Sequence, residues 1–464
     1  MDDYAGFLAE KLAHDKPSGF SVRIDTPHLF PFQRDLVAWA LRRGRSAIFA
    51  STGLGKTRIQ LEWARHVANE AQGRVLVLAP LAVAAQTAME AEVIGVDASV
   101  CRSQVDVKHM VSVANYERLH LFEPASFCGV VLDESSCIKH YNSKTLTQLL
   151  EAFGHTPFRL AATATPAPND WTELGTHAEF LGVCQREEML AEFFCHDGGE
   201  TQVWRLKGHA QREFWRWVAS WGALVRNPAD LGYDGSAHVL PELISKQHTI
   251  AVETHQIFAT GQLFPDDNAS LMERKDHRRA SLDDRVAACS ALVNASDDAW
   301  VVWCDLNAEG DALREAIPDA VEVRGSDTIE QKEQRLEDFA AGKIRVLITK
   351  PSIAGFGLNW QHCARMAFVG LTDSWEAYFQ AVRRCWRFGQ RRAVEVHVFA
   401  SELEGAVVRN VERKARDAEA MSEALAKETA AIVQGEVLGG ARLNSSEKHT
   451  KKTKFPPYIT TRGA

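Results

Sequence analysis

The chain has 464 residues, enough for two or three domains that each bury a core of their own. A hydrophobic share of 45% and a charged share of 25% are ordinary for a soluble globular protein. The formal net charge of −8 excludes a surface that attracts nucleic acid as a whole, so contact with a polyanion requires a local basic groove.

Residues 50–57, which follow an apolar strand and precede a helix-like stretch, predict a phosphate-binding loop. In such a loop the glycines let backbone N–H groups curl around a polyphosphate, Lys56 can reach the β- and γ-phosphates, and Thr57 can ligate Mg²⁺. Ala50 stands where the general pattern has its first glycine, and the alternative is a glycine-rich turn with a chance Lys-Thr pair. The predicted nucleotide-binding residues here are Thr52, Gly53, Gly55, Lys56 and Thr57.

Residues 130–134 form an apolar strand that ends in two carboxylates, which suits a nucleotide hydrolase. Asp133 would join the Mg²⁺ shell, and Glu134 would polarise the attacking water. Paired acids at a strand end are also common on surfaces, so this signal is weak by itself. Residues 163–166, Thr-Ala-Thr-Pro, follow the next apolar run, and by themselves they indicate an ordinary exit from a strand.

Residues 202–233 interleave tryptophans with Arg and Lys, a pattern that nucleic-acid contacts use. Trp217 and Trp221 are four apart, which fits a buried helix face, and we favour packing for most of the tryptophans. The predicted phosphate contacts in this segment are Arg205, Lys207 and Arg216. A second basic stretch, residues 274–279, is either a solvated helix face or part of a DNA groove.

Residues 380–390 contain Arg384 and Arg387, which are three apart and share a face if the segment is helical. Two guanidinium groups at that spacing can approach one phosphate cluster. The alternative is a basic surface helix.

Further on, residues 403–433 are rich in Ala, Glu and Lys and predict a helix. A polar basic tail follows, which could tether a polyanion or only aid solubility.

In this order the segments resemble the motifs of superfamily 2 helicases and translocases, within them the Swi/Snf-like group, between residues 30 and 400. The adenine-reading segment is at Gln33, and motifs I, Ia, Ib, II, III, V and VI stand at 53–57, 78–86, 114–117, 133–136, 163–166, 354–359 and 380–390. Two details depart from the group: Ser135-Ser136 follows the acids in place of Ala-His or Ala-Asp, and Trp375-Glu376-Ala377 replaces Trp-Asn-Pro. The chain also lacks the long insertions of chromatin remodellers, so it is more similar to compact bacterial or phage translocases.

The resemblance implies that the protein uses ATP and Mg²⁺, with Thr57 and Asp133 as the metal ligands. It assigns nucleotide binding also to Gln33 and Gly357. The catalytic residues it implies are Lys56, Asp133, Glu134, Gln380, Arg384 and Arg387. The nucleic-acid contacts it adds are Asn115, Tyr116, Thr163 and Thr165.

Strands alternate with helices in both halves, which predicts an α/β protein with parallel sheets covered by helices. The predicted strands are 46–50, 75–78, 129–133 and 159–165, then 300–304, 345–349, 366–370 and 394–399. We expect two RecA-like parallel-sheet lobes with a helical insertion between them and ATP in the cleft. The expected domains are lobe 1 at 1–183, a helical and basic insertion with linker at 184–290, lobe 2 at 291–432, and a flexible basic tail at 433–464.

The sequence shows neither a membrane span nor a secretory signal. No apolar run reaches the roughly 18 residues that a span needs, and the first residues lack the basic and apolar regions of a signal peptide. The nine cysteines are scattered, as in reduced cytosolic proteins. Zinc is disfavoured because no close cysteine pairs occur among the candidates Cys184, Cys195, His196 and His209. We expect a cytoplasmic protein of a bacterial or phage-infected cell.

The predicted function is that of a monomeric, ATP-dependent DNA translocase or helicase acting on double-stranded DNA, with replication, recombination or defence proteins as further partners. One alternative is an ATP-switched DNA-binding subunit of a restriction or defence assembly that does not move. An RNA helicase is the other, since phosphate contacts carry little information about the sugar.

Overall fold

Two parallel sheets organise the computed structural model, which describes residues 17–80, 83–168, 170–197, 200–250, 281–354, 359–371, 374–401 and separate positions from 407 to 438. The chain divides into a first unit, Met1–His238 with Met421–Ala464, and a second unit, Val239–Ala420. The predicted site residue Gly357, the basic stretch 274–279 and residues 439–464 lie outside the described residues.

The first unit contains a seven-stranded sheet in the order β3-β4-β2-β5-β6-β1-β9, with every neighbouring pair parallel. Its strands are β1 (Arg45–Ala50), β2 (Arg74–Ala79), β3 (Ala98–Val100), β4 (Val111–Asn115), β5 (Phe127–Asp133), β6 (Phe158–Thr163) and β9 (Gly222–Val225). Its helices are α1 (Pro31–Arg43), α2 (Lys56–Ala71), α3 (Ala84–Val93), α4 (Lys144–Phe153), α5 (Leu174–Leu181), α6 (Arg186–Phe193) and α7 (Gln211–Trp221).

Helices cover both faces of this sheet, which is why its strands read as unbroken apolar runs. Along β2, Val75 and Val77 join one hydrophobic cluster, and Leu76 and Leu78 join another. The alternation follows from the two-residue period of a strand, and burial on both sides removes the polar alternation of a half-exposed sheet.

The second unit contains a six-stranded sheet, also parallel throughout, in the order β10-β15-β14-β11-β13-β12. Its strands are β10 (Leu243–Ile250), β11 (Trp300–Trp303), β12 (Ala320–Glu322), β13 (Val346–Thr349), β14 (Arg365–Phe368) and β15 (Val394–Ser401). Its helices are α8 (Leu282–Asn294), α9 (Asn307–Ala316), α10 (Ile329–Ala340), α11 (Pro351–Ala354) and α12 (Trp375–Val382). The two sheets confirm the predicted fold class of two RecA-like parallel-sheet lobes.

The segment predicted as an insertion belongs in part to the first sheet. It contains α6, a hairpin of β7 (Phe194–Asp197) and β8 (Glu200–Leu206), α7, and then β9, which pairs with β1. On α7, Trp215, Trp217 and Trp221 are buried in the first unit's core, so the packing role favoured for the tryptophans is confirmed. The predicted domain boundaries themselves stay predictions.

The end of the described chain returns to the first unit. Val433 and Val437 are buried in its core, in the same cluster as α1. The Arg42 guanidinium donates to the carbonyl oxygens of Glu436 and Val437, both at 3.3 Å. The first unit is therefore assembled from two separate stretches of the sequence.

In the described part of the chain, no helix combines the length and apolarity that crossing a membrane demands.

A buried carboxylate on α2 holds the N-terminal segment of the first unit. Glu62, 1% exposed, accepts hydrogen bonds from Thr26, Arg65 and His66. Burial alone would raise its pKa, but these hydrogen bonds outweigh burial and lower the pKa to about 2. Ionised Glu62 therefore stabilises the fold.

We expect Glu62→Gln to lower the free energy of unfolding at pH 7 by about 1–3 kcal/mol, since charge-assisted hydrogen bonds are lost. The difference from wild type should be complete above the ordinary pKa of 4.5 and shrink as pH falls toward 2. Urea unfolding at several pH values measures it, with Glu92→Gln, a change at an exposed position of α3, as the control. Equal stability of Glu62→Gln and wild type at pH 7 would contradict this role.

Candidate functional site

The predicted phosphate-binding loop connects the end of β1 to the start of α2, as its sequence requires. Gly53 and Gly55 have φ values of 87° and 76°, in the left-handed region that favours glycine. A Cβ atom on Gly55 would also lie 2.3 Å from Nε2 of Gln33. Both glycines are therefore required by the backbone of the loop.

Gln33, on the first turn of α1, braces this loop. Its Nε2 donates to the carbonyl oxygen of Leu54 at 2.8 Å, and its Oε1 accepts from the Phe30 N–H at 2.8 Å. The side chain is 2% exposed. The amide keeps one N–H and one lone pair for a further partner, so its predicted contact with adenine stays a prediction beside this structural role.

Polar groups of the loop suit a polyphosphate. Lys56 Nζ donates to the carbonyl oxygen of Ala50 at 2.9 Å, which lays the side chain along the loop. Thr57 stands in the first turn of α2, where helix N–H groups have no intrahelical acceptor. Thr52 Oγ1 is buried and has no hydrogen-bond partner among the described residues. These donors fit a bound triphosphate, and the Thr57 hydroxyl fits a bound Mg²⁺.

Asp133 is the last residue of β5 and Glu134 follows it, at the same carboxyl-terminal end of the sheet where β1 enters the loop. Gln60 Nε2, on α2, donates to Asp133 Oδ1 at 2.7 Å. Burial, and next the negative charge of Glu134, raise the pKa of Asp133 to about 6, against the lowering effects of Gln60 and Lys56. A buried carboxylate beside a second acid is stabilised by a cation, so this donor set fits Mg²⁺.

Glu134 has a backbone conformation that residues with a Cβ atom avoid. Its φ of 50° and ψ of 52° are left-handed, which costs about 1–3 kcal/mol for a residue other than glycine. Such strain persists only where neighbouring contacts fix the backbone. Tyr116 donates to the carbonyl oxygen of Asp133 at 2.7 Å, and Thr163 Oγ1 lies 3.5 Å from Glu134 Oε2.

The structure brings the four nucleic-acid residues implied by the motifs to this same edge. Asn115 ends β4, Tyr116 follows it, and Thr163 ends β6. The Thr165 N–H donates to Thr163 Oγ1 at 3.1 Å. Asn115 Oδ1 and Thr165 Oγ1 are buried without a hydrogen-bond partner among the described residues. In parallel sheets ligands bind at the carboxyl ends of strands, and the contact of these residues with nucleic acid stays a prediction.

In the second unit, Gln380, Arg384 and Arg387 lie at the end of α12. That helix ends at Val382, so Arg384 and Arg387 follow it in turns and bends, and the condition for a shared helical face is not met. Arg384 is 2% exposed and donates to Gln380 at two atoms, the carbonyl oxygen at 3.0 Å and Oε1 at 3.1 Å. Arg387 is partly exposed.

The three basic residues predicted in the insertion differ in their surroundings. Lys207 Nζ donates to the carbonyl oxygens of Ala191 and Glu192, at 2.9 and 2.8 Å, and so caps the C-terminal end of α6. Arg216 forms an ion pair with Glu213 at 3.2 Å on α7. Arg205 is exposed on β8. The local role of Lys207 is structural, and contact of all three with nucleic acid stays a prediction.

Sequence reasoning missed two residues beside the acids. Gln60 is four residues after Lys56, on the same side of α2, and that spacing could have indicated it. His177 on α5 contacts Ser135, the residue after Glu134, at 3.1 Å. No motif marks His177, because the contact joins positions 42 residues apart.

The first unit has the strand, glycine-rich loop and helix of a phosphate-binding loop, and the described chain forms two parallel-sheet units. Residues 287–389, within the second unit, match the family described as the helicase conserved C-terminal domain. This match confirms the predicted resemblance to helicases, and it supports a helicase-like nucleic-acid ATPase.

One solved structure with a distant likeness is the "Sulfolobus solfataricus SWI2/SNF2 ATPase core in complex with dsDNA". The sequences are 17% identical, the alignment covers 82% of this chain and 89% of that chain, and the TM-score is 0.41. No curated protein matches the sequence.

Proposed function

We propose that this protein is an ATP-dependent motor of the Swi/Snf-like type that moves on double-stranded DNA. The observation that carries the proposal is the arrangement at the carboxyl-terminal ends of the strands in the first sheet. There the loop after β1 lies beside Asp133 and Glu134 at the end of β5, with Gln60 and Thr163 in contact with the two carboxylates. A polyphosphate cradle beside a catalytic acid pair is the arrangement that nucleotide hydrolysis requires.

The predicted nucleotide-site residues of the first unit have separate roles in this proposal. Thr57 and Asp133 hold Mg²⁺, Lys56 holds the β- and γ-phosphates, and Glu134 accepts a proton from the attacking water at its carboxylate. When bound, Mg²⁺ neutralises charge on the phosphate oxygens. Gln33 contacts the adenine, and the loop residues Thr52, Gly53 and Gly55 surround the phosphates.

The second unit contributes positive charge in this proposal. Arg384 and Arg387 neutralise the γ-phosphate as its charge redistributes in the transition state, and Gln380 holds Arg384 in place. Gly357 is assigned to the nucleotide on its motif alone. Because hydrolysis then needs groups from both units, turnover is coupled to motion between them, and that motion advances the protein along DNA.

The test is the ATPase rate with double-stranded DNA, single-stranded DNA and RNA, each over a salt series. We expect stimulation by duplex DNA that falls as salt rises, because gripping the phosphate backbone releases counterions. Lys56→Ala should lower the rate at least about a hundredfold with an unchanged circular dichroism spectrum, since a major phosphate contact is removed. A folded wild-type protein without nucleic-acid-stimulated hydrolysis would contradict the proposal.

Movement is tested separately from hydrolysis by displacement of a triplex-forming strand from duplex DNA. A motor strips the third strand in the presence of ATP, and Lys56→Ala leaves it bound. If the protein hydrolyses ATP but does not strip the third strand, it is an ATP-switched clamp and not a motor.

A further inference from the structure

A fully buried hydrogen bond follows the acid pair directly. Ser135 Oγ lies 3.1 Å from Nε2 of His177, and both residues have no exposed surface. Ser135 is the residue after Glu134, whereas His177 belongs to α5. The bond therefore connects the backbone of the proposed catalytic acid to a helix on the face of the sheet.

The second ring nitrogen of His177, Nδ1, determines which group donates in this hydrogen bond. His177 Nδ1 lies 3.4 Å from the carbonyl oxygen of Glu173, which can only accept, so Nδ1 carries the hydrogen. Nε2 is then the acceptor, and the Ser135 hydroxyl donates to it. Burial lowers the pKa of His177 to about 4, which keeps the ring neutral near pH 7. The edge-on ring of Phe49, with centroids 5.4 Å apart, fixes its orientation.

Contacts on both sides of Glu134 hold its left-handed backbone. Before it, Tyr116 holds the carbonyl oxygen of Asp133. After it, His177 holds Ser135, and the Cys137 N–H donates to the Glu134 carbonyl oxygen at 3.2 Å. Without the anchor at Ser135, this backbone can relax toward an ordinary conformation, and the carboxylate would swing away from Thr163.

We propose that Ser135 and His177 are positioning residues that hold the Glu134 carboxylate in the orientation needed to activate water. This inference rests on the proposed function, because it takes Glu134 as the group that accepts the proton. Neither residue touches the nucleotide in this view. The pair affects the chemical step and leaves ATP binding, which depends on the loop after β1, unchanged.

The test compares Ser135→Ala with Ser46→Ala by steady-state ATP hydrolysis with DNA. Both serines are completely buried, but Ser46 lies near the start of β1, at the opposite end of the strand from the loop, and its Oγ has no hydrogen-bond partner among the described residues. We expect Ser135→Ala to lower kcat about ten- to a hundredfold at unchanged KM for ATP, because small misplacements of a catalytic group have effects of that size. Ser46→Ala should keep the wild-type kcat.

His177→Gln is the conservative variant, because its amide oxygen can accept the Ser135 hydroxyl. It should retain kcat within about threefold of wild type, and the double variant Ser135→Ala/His177→Gln should match Ser135→Ala, as for two members of one interaction. Circular dichroism and thermal unfolding of each variant correct kcat for the folded fraction.

Three outcomes decide the inference. A kcat of Ser135→Ala equal to that of wild type overturns it, and so does an equal fall in Ser46→Ala. A fall accounted for entirely by unfolded protein also overturns it and leaves a purely structural pair. If wild type hydrolyses ATP and Glu134→Gln does not, these results leave the proposed function standing.

Discussion

Glu134→Gln should lower kcat for ATP hydrolysis by about 10²–10⁴ while ATP remains bound, the range expected when a general base is removed. Gln keeps the size of the side chain and can still contact Thr163, which lies 3.5 Å from Oε2 in the wild type. It cannot accept a proton from water. The strained backbone at this position already accommodates a residue with a Cβ atom, so the fold should be unaffected.

Single-turnover hydrolysis together with binding of labelled ATP measures this effect. The variant should hold unhydrolysed ATP that co-elutes with the protein, whereas the wild type releases ADP. Glu92→Gln, which changes an exposed carboxylate on α3, controls for the loss of one negative charge. Near wild-type turnover in Glu134→Gln would assign the base to another group.

Arg387→Ala should lower kcat by about 10³ without unfolding the second unit, as expected for removal of an arginine that neutralises the transferred phosphoryl group. The structure separates Arg384 from Arg387 by their burial. Arg384 is buried and hydrogen-bonded to Gln380, whereas Arg387 is partly exposed.

Arg384→Ala is therefore expected to lower the free energy of unfolding as well as kcat. The loss of stability should be roughly 1–3 kcal/mol, because the acceptor atoms of Gln380 lose their donor.

Stopped-flow phosphate release gives kcat, and thermal unfolding separates catalysis from stability in both variants. Arg392→Ala is the matched control, since Arg392 is a nearby exposed arginine that pairs with Asp298 at 3.1 Å. It should keep the wild-type rate at moderate salt. If Arg387→Ala and Arg392→Ala hydrolyse ATP equally fast, the assignment of Arg387 to the γ-phosphate is wrong.

The interior strands of both sheets, β4 excepted, were predictable because they are buried on two faces. Predicted strands 129–133 and 394–399 correspond to β5 and β15 to within two residues at each end. The sequence did not indicate β10, whose polar residues keep several positions exposed at the sheet edge. It also did not indicate β9, because four residues, Gly-Ala-Leu-Val, directly after a helix are too short for a periodic pattern.

Within the candidate site, the loop after β1 and the acids after β5 were predictable because strand ends impose a local order on the sequence. The contacts that hold the backbone around the acids were not, since Tyr116 reaches the Asp133 carbonyl oxygen and His177 reaches Ser135 through the tertiary fold. Whether Arg384 and Arg387 share a helical face could not be read from the sequence, and they do not, because α12 stops at Val382 and Arg384 donates to Gln380. The use of Lys207 as a helix cap depends likewise on a contact across the hairpin.

The return of the last described residues to the first unit has a consequence for synthesis in the cell. The cluster that receives Val433 and Val437 belongs to residues made before the second unit, Val239–Ala420, is translated. At about 5–20 residues per second, the ribosome needs roughly 10–40 s for that intervening stretch. During this interval the apolar surface near α1 lacks the cover that these two valines provide.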